Sequence, residues 1–209
     1  MHLVDEKNPV KKAISLVAEG KAEPAIEILL NALDDEDWSV RSYAAQILGE
    51  LGKIAGSAQN ISPHLNKAVD KMLIKMRSDP DGWVREAITK AIGKIGSIAP
   101  RILKAAIPSL IDVLKNDEHD GARGSAANTL GSIGKASPNL VLDAVNPLIS
   151  ALKDEAWLVR YYAIYALGEI ALKFPEKKKI VVSRIEEIVN DEDPGVRDIA
   201  KETVKKLVA

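Results

Sequence analysis

Five regularly spaced aspartate–arginine pairs are the strongest candidates for catalytic or ionic chemistry in this sequence. In each pair the arginine follows the aspartate by six residues. Arginine is too basic to exchange protons near neutral pH, and five equivalent pairs are not how a single active site is built. We therefore predict a structural role, in which charge-assisted hydrogen bonds satisfy polar groups at the starts of helices. The pairs are Asp35 and Arg41, Asp79 and Arg85, Asp117 and Arg123, Asp154 and Arg160, and Asp191 and Arg197.

Other patterns for catalysis or metal binding are weak. The three histidines, His2, His64 and His119, are scattered, and none has a second ligand at metal-binding spacing. The chain has no cysteine, which excludes thiol catalysis and thiolate metal sites. The segment GARGS at residues 121–125 lacks the lysine of a phosphate-binding loop. We therefore predict a protein that is not an enzyme, with no metal site and no cofactor.

The pairs recur at intervals that indicate a repeat of two helices. Successive arginines are separated by 44, 38, 37 and 37 residues, a period typical of helical solenoids. Positions −1, +3, +7 and +10 from each arginine are small or apolar, which predicts the core face of the second helix. Glycine recurs eight residues after four of the arginines despite its low helix propensity, so we expect a neighbouring helix to approach there. These glycines are Gly49, Gly93, Gly131 and Gly168.

The repeat predicts an all-α chain of about 11 helices, organised as one continuous solenoid over residues 1–209. A helix over residues 8–19, with Asn8 as its cap, would form an N-terminal cap within residues 1–20. Pro108 and Pro147 fall inside two first helices and should kink or split them. The connection at residues 55–62 is the longest, and we expect it to be a mobile loop. The five helix pairs are predicted at about residues 21–54, 62–97, 100–135, 138–173 and 175–209.

Composition limits the classes of partner. Charged residues make up 28% of the chain but the formal net charge is −1, so there is no global field to attract nucleic acid or an anionic membrane surface. No apolar segment approaches the length of about 20 residues that a membrane span needs. The absence of cysteine is compatible with a reducing compartment. We therefore expect a cytoplasmic protein without membrane association.

The concordant copies resemble the HEAT repeat. The segments DEDWSVRSYAAQILGELG and DEAWLVRYYAIYALGEIA are most similar to the short prokaryotic subclass known as phycobilisome-lyase HEAT-like repeats. The resemblance implies a right-handed α-α superhelix, an armadillo-like solenoid. It also implies that matching aspartates and arginines of successive repeats form a hydrogen-bonded ladder. Because the family includes scaffolds, transport receptors, phosphatase subunits and a few enzymes, it does not determine the function.

The outward stripe of the second helices, at offsets +1, +5 and +9, is by resemblance the concave, ligand-facing surface. It carries five acidic and three basic residues, which argues against a nucleic-acid groove. All four tyrosines lie on second helices near this stripe, and we interpret them as interface anchors rather than as fillers of gaps between repeats. We expect a monomeric scaffold that binds another protein. The predicted partner-binding residues are Tyr43, Gln46, Lys90, Asn128, Tyr161 and Tyr165.

The acidic turns and the tryptophans at the starts of second helices have structural interpretations. Negative charge suits helix N-termini, so we interpret the turn acids as caps and solvated charge. We interpret Trp38, Trp83 and Trp157 as lids that seal the end of the core.

Two other functions stay open. A basic cluster could contact phosphate and make the protein a nucleic-acid-associated scaffold, which steep salt dependence of binding would reveal. A lyase-like or other enzyme component is suggested by the resemblance alone, and the His-Glu dipeptides of deoxyhypusine hydroxylases are absent. The basic cluster consists of Lys173, Lys177, Lys178, Lys179 and Arg184.

Overall fold

The computed structural model describes residues 8–55, 63–96 and 100–209, and most of them are helical. Eleven α-helices and no strand are found in these ranges, so the predicted all-α class and helix number are confirmed. Residues 1–7 of the predicted cap and residues 56–62 of the predicted loop lie outside the described residues. The helices are α1 (Pro9–Ala18), α2 (Ala22–Ala32), α3 (Trp38–Ala55), α4 (Pro63–Ser78), α5 (Gly82–Gly96), α6 (Pro100–Asn116), α7 (Asp120–Ala136), a 3₁₀ helix (Pro138–Ala144), α8 (Val145–Ala151), α9 (Trp157–Ala171), α10 (Pro175–Glu186) and α11 (Pro194–Val208).

The chain divides into two compact units. The first unit, Met1–Ile102, contains α1 to α5, and the second unit, Leu103–Ala209, contains most of α6 and all of α7 to α11. In each unit the helices alternate between first and second members of a pair, and α3, α5, α7, α9 and α11 are the second helices. The organisation of the two units as one continuous solenoid stays a prediction.

Local sequence explains where several helices begin and end. The Asn8 side chain accepts a hydrogen bond from the Val10 N–H at 2.9 Å, and Pro9 occupies the first turn of α1, where its missing N–H costs nothing. Gly20 follows α1 with a φ of 75°, a conformation that favours glycine. Asp193 caps α11 by accepting the Val196 N–H at 3.0 Å.

The two internal prolines behave differently. The helix predicted at residues 138–153 is split into the 3₁₀ helix and α8, and this division places Pro147 in the first turn of α8. Pro108, by contrast, lies inside the uninterrupted helix α6. Pro108 itself lies at an exposed position of this helix. The proline therefore splits the helix only in the fourth pair.

The core of each unit is built from aliphatic side chains and alanine. Large side chains that are fully buried include Leu29, Leu48 and Met72 in the first unit. In the second unit the predicted stripe around Arg160 is completely buried, which confirms the predicted core face of α9. That stripe consists of Val159, Ala163, Leu167 and Ile170.

Consecutive second helices approach closely at the recurring glycine. A Cβ atom on Gly49 would lie 2.9 Å from the Cα of Ala91 in α5, and a Cβ on Gly131 would lie 2.8 Å from the Cα of Ala166 in α9. At Gly168 the nearest atom is the Thr203 side-chain methyl in α11, at 2.8 Å. Real Cβ atoms do not approach other atoms this closely, so the predicted close packing is confirmed at these three glycines.

Candidate functional site

Arg41 connects two successive helix pairs of the first unit. Its Nε and Nη2 atoms donate to the two carboxylate oxygens of Asp79, each at 2.9 Å. Its Nη1 donates to the carbonyl oxygens of Asp35 (2.9 Å) and Glu36 (3.0 Å) in the turn before α3. Asp79 also accepts the backbone N–H of Asp81 at 3.1 Å. One guanidinium therefore holds the turn of its own helix pair and the aspartate of the next pair.

The same arrangement occurs twice in the second unit. Nε and Nη2 of Arg123 donate to the Asp154 carboxylate, each at 2.8 Å, and those of Arg160 donate to Asp191 at 2.8 and 2.7 Å. In both arginines Nη1 donates to the carbonyl oxygens of the residues five and six positions earlier. Asp154 and Asp191 each accept the N–H of the residue two positions later, at 2.9 Å. The contacts that link successive pairs are thus bidentate and charge-assisted.

The remaining predicted pair residues lie at the same turns. Nη1 of Arg85 and of Arg197 donates to the carbonyl oxygen six residues earlier, at 2.8 Å in both cases. Asp35 and Asp117 each accept the N–H of the residue two positions later, at 2.9 Å. The turn acids therefore act as turn and helix caps, as the sequence analysis interpreted them.

The paired groups are held in their charged forms. The hydrogen bonds that Arg41, Arg123 and Arg160 donate to the aspartate carboxylates raise the pKa of these arginines above the ordinary value. The hydrogen bond from Arg160 lowers the pKa of Asp191 below the ordinary value of aspartate. A general acid or base needs a pKa near the working pH, so these shifts suit a structural role and not proton transfer.

Acidification is expected to remove the contribution of the Arg160–Asp191 pair to stability. The pKa of Asp191 is lowered in the folded state relative to about 3.9 in the unfolded chain. The stabilisation is therefore full above the unfolded pKa and is lost as the pH falls through the folded pKa. Urea unfolding of the wild type and of Asp191→Asn should give a free-energy difference that is constant near neutral pH and shrinks below about pH 5. Asp198→Asn, on the exposed side of α11, is the control and should change little; a difference for Asp191→Asn that persisted in acid would contradict the prediction.

A groove lies between the second helices α3 and α5 of the first unit. Its volume is about 540 Å³, and we call it the first groove. Two ion pairs stand along it: Glu86 with Lys90, and Glu50 with Lys94, whose Nζ is 2.6 Å from the carboxylate. The cations of this groove are therefore largely neutralised by nearby carboxylates. Its lining includes Trp38, Ser42, Tyr43, Gln46, Trp83, Glu86, Lys90 and Lys94.

A similar groove lies between α9 and α11 of the second unit. This second groove has a volume of about 470 Å³. Lys206 Nζ lies 3.2 Å from the Glu169 carboxylate, whose side chain is only 13% exposed. Tyr161 and Tyr165 form one wall and α11 forms the other. The lining includes Tyr161, Tyr165, Gly168, Glu169, Asp198, Ile199, Glu202, Thr203 and Lys206.

Five of the six predicted partner-binding residues line one of these grooves. Three are in the first groove and two are in the second, so the structure brings them together in two groups, one in each unit. Asn128 is half-buried on α7 and lines neither groove. The binding role of all six stays a prediction. The five groove residues are Tyr43, Gln46 and Lys90 in the first groove, and Tyr161 and Tyr165 in the second.

The three tryptophans are about half exposed, and their interpretation as lids over the core stays a prediction. Trp38, Trp83 and Trp157 are 49%, 59% and 51% exposed, and the first two line the first groove. These two are functional candidates that sequence reasoning missed. For Trp38 the sequence did indicate a surface position: it precedes Ser42 of the outward stripe by four residues and so lies on the same helix face.

The tyrosines combine exposure with packing between helices. A Cβ on Gly131 would lie 2.8 Å from the Tyr165 ring, so this ring covers the glycine of α7. Tyr161 and Tyr162 meet edge to face, with ring centroids 5.3 Å apart. Tyr43 is the most open of the four, at 40% exposed. Both interpretations of the tyrosines, as anchors and as gap fillers, are therefore compatible with their positions.

The lysine-rich cluster lies on α10 and just before it, in surroundings of mixed charge. Lys179 and Arg184 line a shallow depression together with Glu176. Arg184 Nη1 also donates to Glu187 at 2.7 Å. An interface for nucleic acid needs cations clustered along one face, and this mixture gives it little support.

Metal-binding and membrane-spanning features were sought in the described ranges. There, no group of three or more His, Asp or Glu side chains could hold a metal ion. Within the same ranges, none of the helices combines the length and the hydropathy needed to span a bilayer.

Comparison with known families decides what the repeat is. A family model described as HEAT repeats matches residues 26–131 and again residues 107–205, which together make up most of the chain. This chain belongs to the HEAT repeat family. The resemblance found in the aspartate–arginine copies is thereby confirmed. A HEAT repeat architecture is typical of scaffolds that bind proteins.

Solved structures share the fold at low sequence identity. A designed armadillo repeat protein in complex with the peptide (KR)4 has a TM-score of 0.70 and 19% identity, over 94% of this chain and 86% of that one. YibA of Escherichia coli has a TM-score of 0.72 and 18% identity, over 99% and 70% of the two chains. The complex of CpcE and CpcF of phycocyanin lyase from Nostoc sp. PCC7120 has a TM-score of 0.63 and 20% identity, over 86% and 98%. A search of curated proteins finds no significant match to this HEAT repeat chain.

Proposed function

We propose that this HEAT repeat chain is a non-catalytic scaffold that binds another protein on the face formed by its second helices. The observation that carries the proposal is that, in both units, two adjacent second helices leave a groove in which aromatic side chains stand beside charged ones. Large, rigid aromatic side chains are typical anchors of protein interfaces because they bury much area at little cost in conformational entropy. The monomeric state and the cytoplasmic location stay predictions.

The structural neighbours support a protein or peptide as the class of partner. The designed armadillo repeat protein is in complex with a peptide, and CpcE is in complex with CpcF. The phycocyanin lyase neighbour is the reason to retain a lyase-like function as an alternative. Against it, the paired arginines and aspartates of this chain make structural hydrogen bonds. Binding without catalysis therefore agrees best with the grooves.

Removing the aromatic anchors is expected to abolish capture of the partner. We compare the wild type with Trp38→Ala, Trp83→Ala and with Tyr161→Ala, Tyr165→Ala in a pull-down from nuclease-treated native lysate, quantified by mass spectrometry. Loss of an anchor costs about 2 kcal/mol or more of binding free energy, so a protein retained by the wild type should be depleted at least about tenfold by one of the double variants.

A matched control removes exposed apolar side chains from first helices. Ile74 on α4 is 67% exposed and Ile180 on α10 is 45% exposed. The double variant Ile74→Ala, Ile180→Ala should retain the partner, and circular dichroism must show that all the variants are folded. If both aromatic variants captured the same proteins as the wild type in the same amounts, the proposed face would be wrong.

A further inference from the structure

The two grooves differ in charge. The second groove is lined by three carboxylates and one lysine, whereas the first groove is lined by one carboxylate and two lysines. In the second groove, Lys206 is paired with Glu169. Asp198 and Glu202 are exposed on α11, and among the described residues neither carboxylate makes an ion pair. The second groove therefore presents uncompensated negative charge beside two aromatic rings.

The spacing of these groups suits an extended chain. Asp198 and Glu202 are one helical turn apart on α11, and Tyr161 and Tyr165 are one turn apart on the facing helix α9. Side chains four residues apart on a helix are separated by about 6 Å. Alternate side chains of an extended peptide point the same way and repeat at about 6.6–7 Å. Two alternate side chains of a bound strand could therefore each meet one carboxylate and one tyrosine.

The tyrosines on one side of the second groove and the carboxylates on the other favour cationic side chains of a bound segment. A lysine or arginine side chain can make a charge-assisted hydrogen bond to a carboxylate while its cationic end lies over a tyrosine ring. An acidic segment would meet repulsion from Asp198 and Glu202, and an apolar segment would have to desolvate both without compensation. Charge complementarity therefore favours a basic segment as the ligand of the second groove.

We propose that the groove between α9 and α11 binds an extended segment of a partner protein that carries lysine or arginine at alternate positions. This assignment rests on the proposed scaffold function and names the chemistry of the partner at the second groove. Tyr161 and Tyr165 line the segment on one side, and Asp198 and Glu202 hold its cations on the other.

The test uses two labelled octapeptides of identical composition, one with lysine and serine alternating and one with four lysines followed by four serines. Fluorescence anisotropy with the full chain should show tighter binding of the alternating peptide. In Asp198→Asn, Glu202→Gln, its dissociation constant should rise about tenfold, because two charge-assisted contacts are weakened. Both substitutions are isosteric and lie on exposed positions of α11, so the fold should be kept.

The control variant is Glu176→Gln, Glu186→Gln on α10, which changes the net charge by the same amount at exposed positions outside the groove. Its dissociation constant should stay within about twofold of the wild type, because exposed charges far from the peptide are screened by salt. Equal losses in the two variants, no preference for the alternating peptide, or no binding of either peptide would overturn the proposal.

The outcomes separate this inference from the proposed function. If the aromatic variants lose a captured protein while neither octapeptide binds, the scaffold function stands and the basic-segment assignment fails. If the alternating peptide binds and depends on Asp198 and Glu202, while capture is unchanged in both aromatic variants, the carboxylates of the second groove bind basic segments but the aromatic anchoring invoked for the scaffold function fails.

Discussion

Replacing Asp79 with alanine is expected to lower the free energy of unfolding by about 3–5 kcal/mol, the largest effect of any single substitution proposed for this chain. The Asp79 side chain is fully buried, and its partner Arg41 is only 9% exposed. The substitution would leave a guanidinium buried without its counter-charge and would also remove the acceptor of the Asp81 N–H. Urea unfolding of the full chain, followed by circular dichroism, measures the loss.

Arg197→Ala is the matched control for this substitution. Arg197 occupies in the last helix pair the position that Arg41 occupies in the first. Its Nη1 donates to the carbonyl oxygens of Asp191 and Glu192. Its removal should cost only about 1–2 kcal/mol, the value of hydrogen bonds from a charged donor at a partly exposed site. Similar losses of unfolding free energy in the two variants would mean that the buried Arg41–Asp79 pair contributes no more to stability than the hydrogen bonds of Arg197 to its turn.

Gly131→Ala is expected to destabilise the protein by about 2 kcal/mol, although alanine has the higher helix propensity. The new methyl group would lie 2.8 Å from both the Cα of Ala166 and the ring of Tyr165. Because one of these atoms belongs to the backbone of α9, the two helices would have to separate. The melting temperature and the urea midpoint measure the effect.

Gly124→Ala, in the same helix, is the control, because it makes the same substitution at a position where α9 lies less close. There, the new methyl group would meet side chains and no backbone atom: Leu158 Cγ at 3.1 Å and the Tyr162 ring at 3.7 Å. Its stability should remain within about 1 kcal/mol of the wild type, and a small gain is compatible with the higher helix propensity of alanine. If Gly131→Ala were as well tolerated as Gly124→Ala, the glycine would not be required for the packing of α7 against α9.

These two predictions concern features that recur along the repeat, the bidentate pairs of three arginines and the glycine that follows four of the five arginines. The bidentate pairs join successive helix pairs at their turns, and the glycines let successive second helices lie close together. Both features fix the relative positions of neighbouring second helices within a unit. They therefore set the width of the two grooves in which we propose that a partner binds.

Features that depend on local periodicity were predictable from the amino-acid sequence. Helix positions followed from apolar spacing and from capping residues such as Asn8, because helical hydrogen bonds join residues only four apart. The recurring glycine predicted close packing because its low helix propensity needs compensation. The spacing of Arg160 and its equivalents indicated a helical solenoid, since each repeat must bury the same face against its neighbours. The resemblance of the repeated residues to the HEAT repeat, which the family model confirms, named the kind of repeat.

The residues that line each groove, and the charge of each groove, depend on which helices the fold places side by side. Trp38 lines the first groove, which exists only because α5 lies beside α3. The helix is split before Pro147 but continues through Pro108, a difference that the presence of a proline in the sequence does not predict. The charge of the second groove arises where α9 and α11 meet, from Glu169 on one helix and from Asp198 and Glu202, 29 and 33 positions later, on the other. Such pairings are set by packing between helices, which no local pattern specifies.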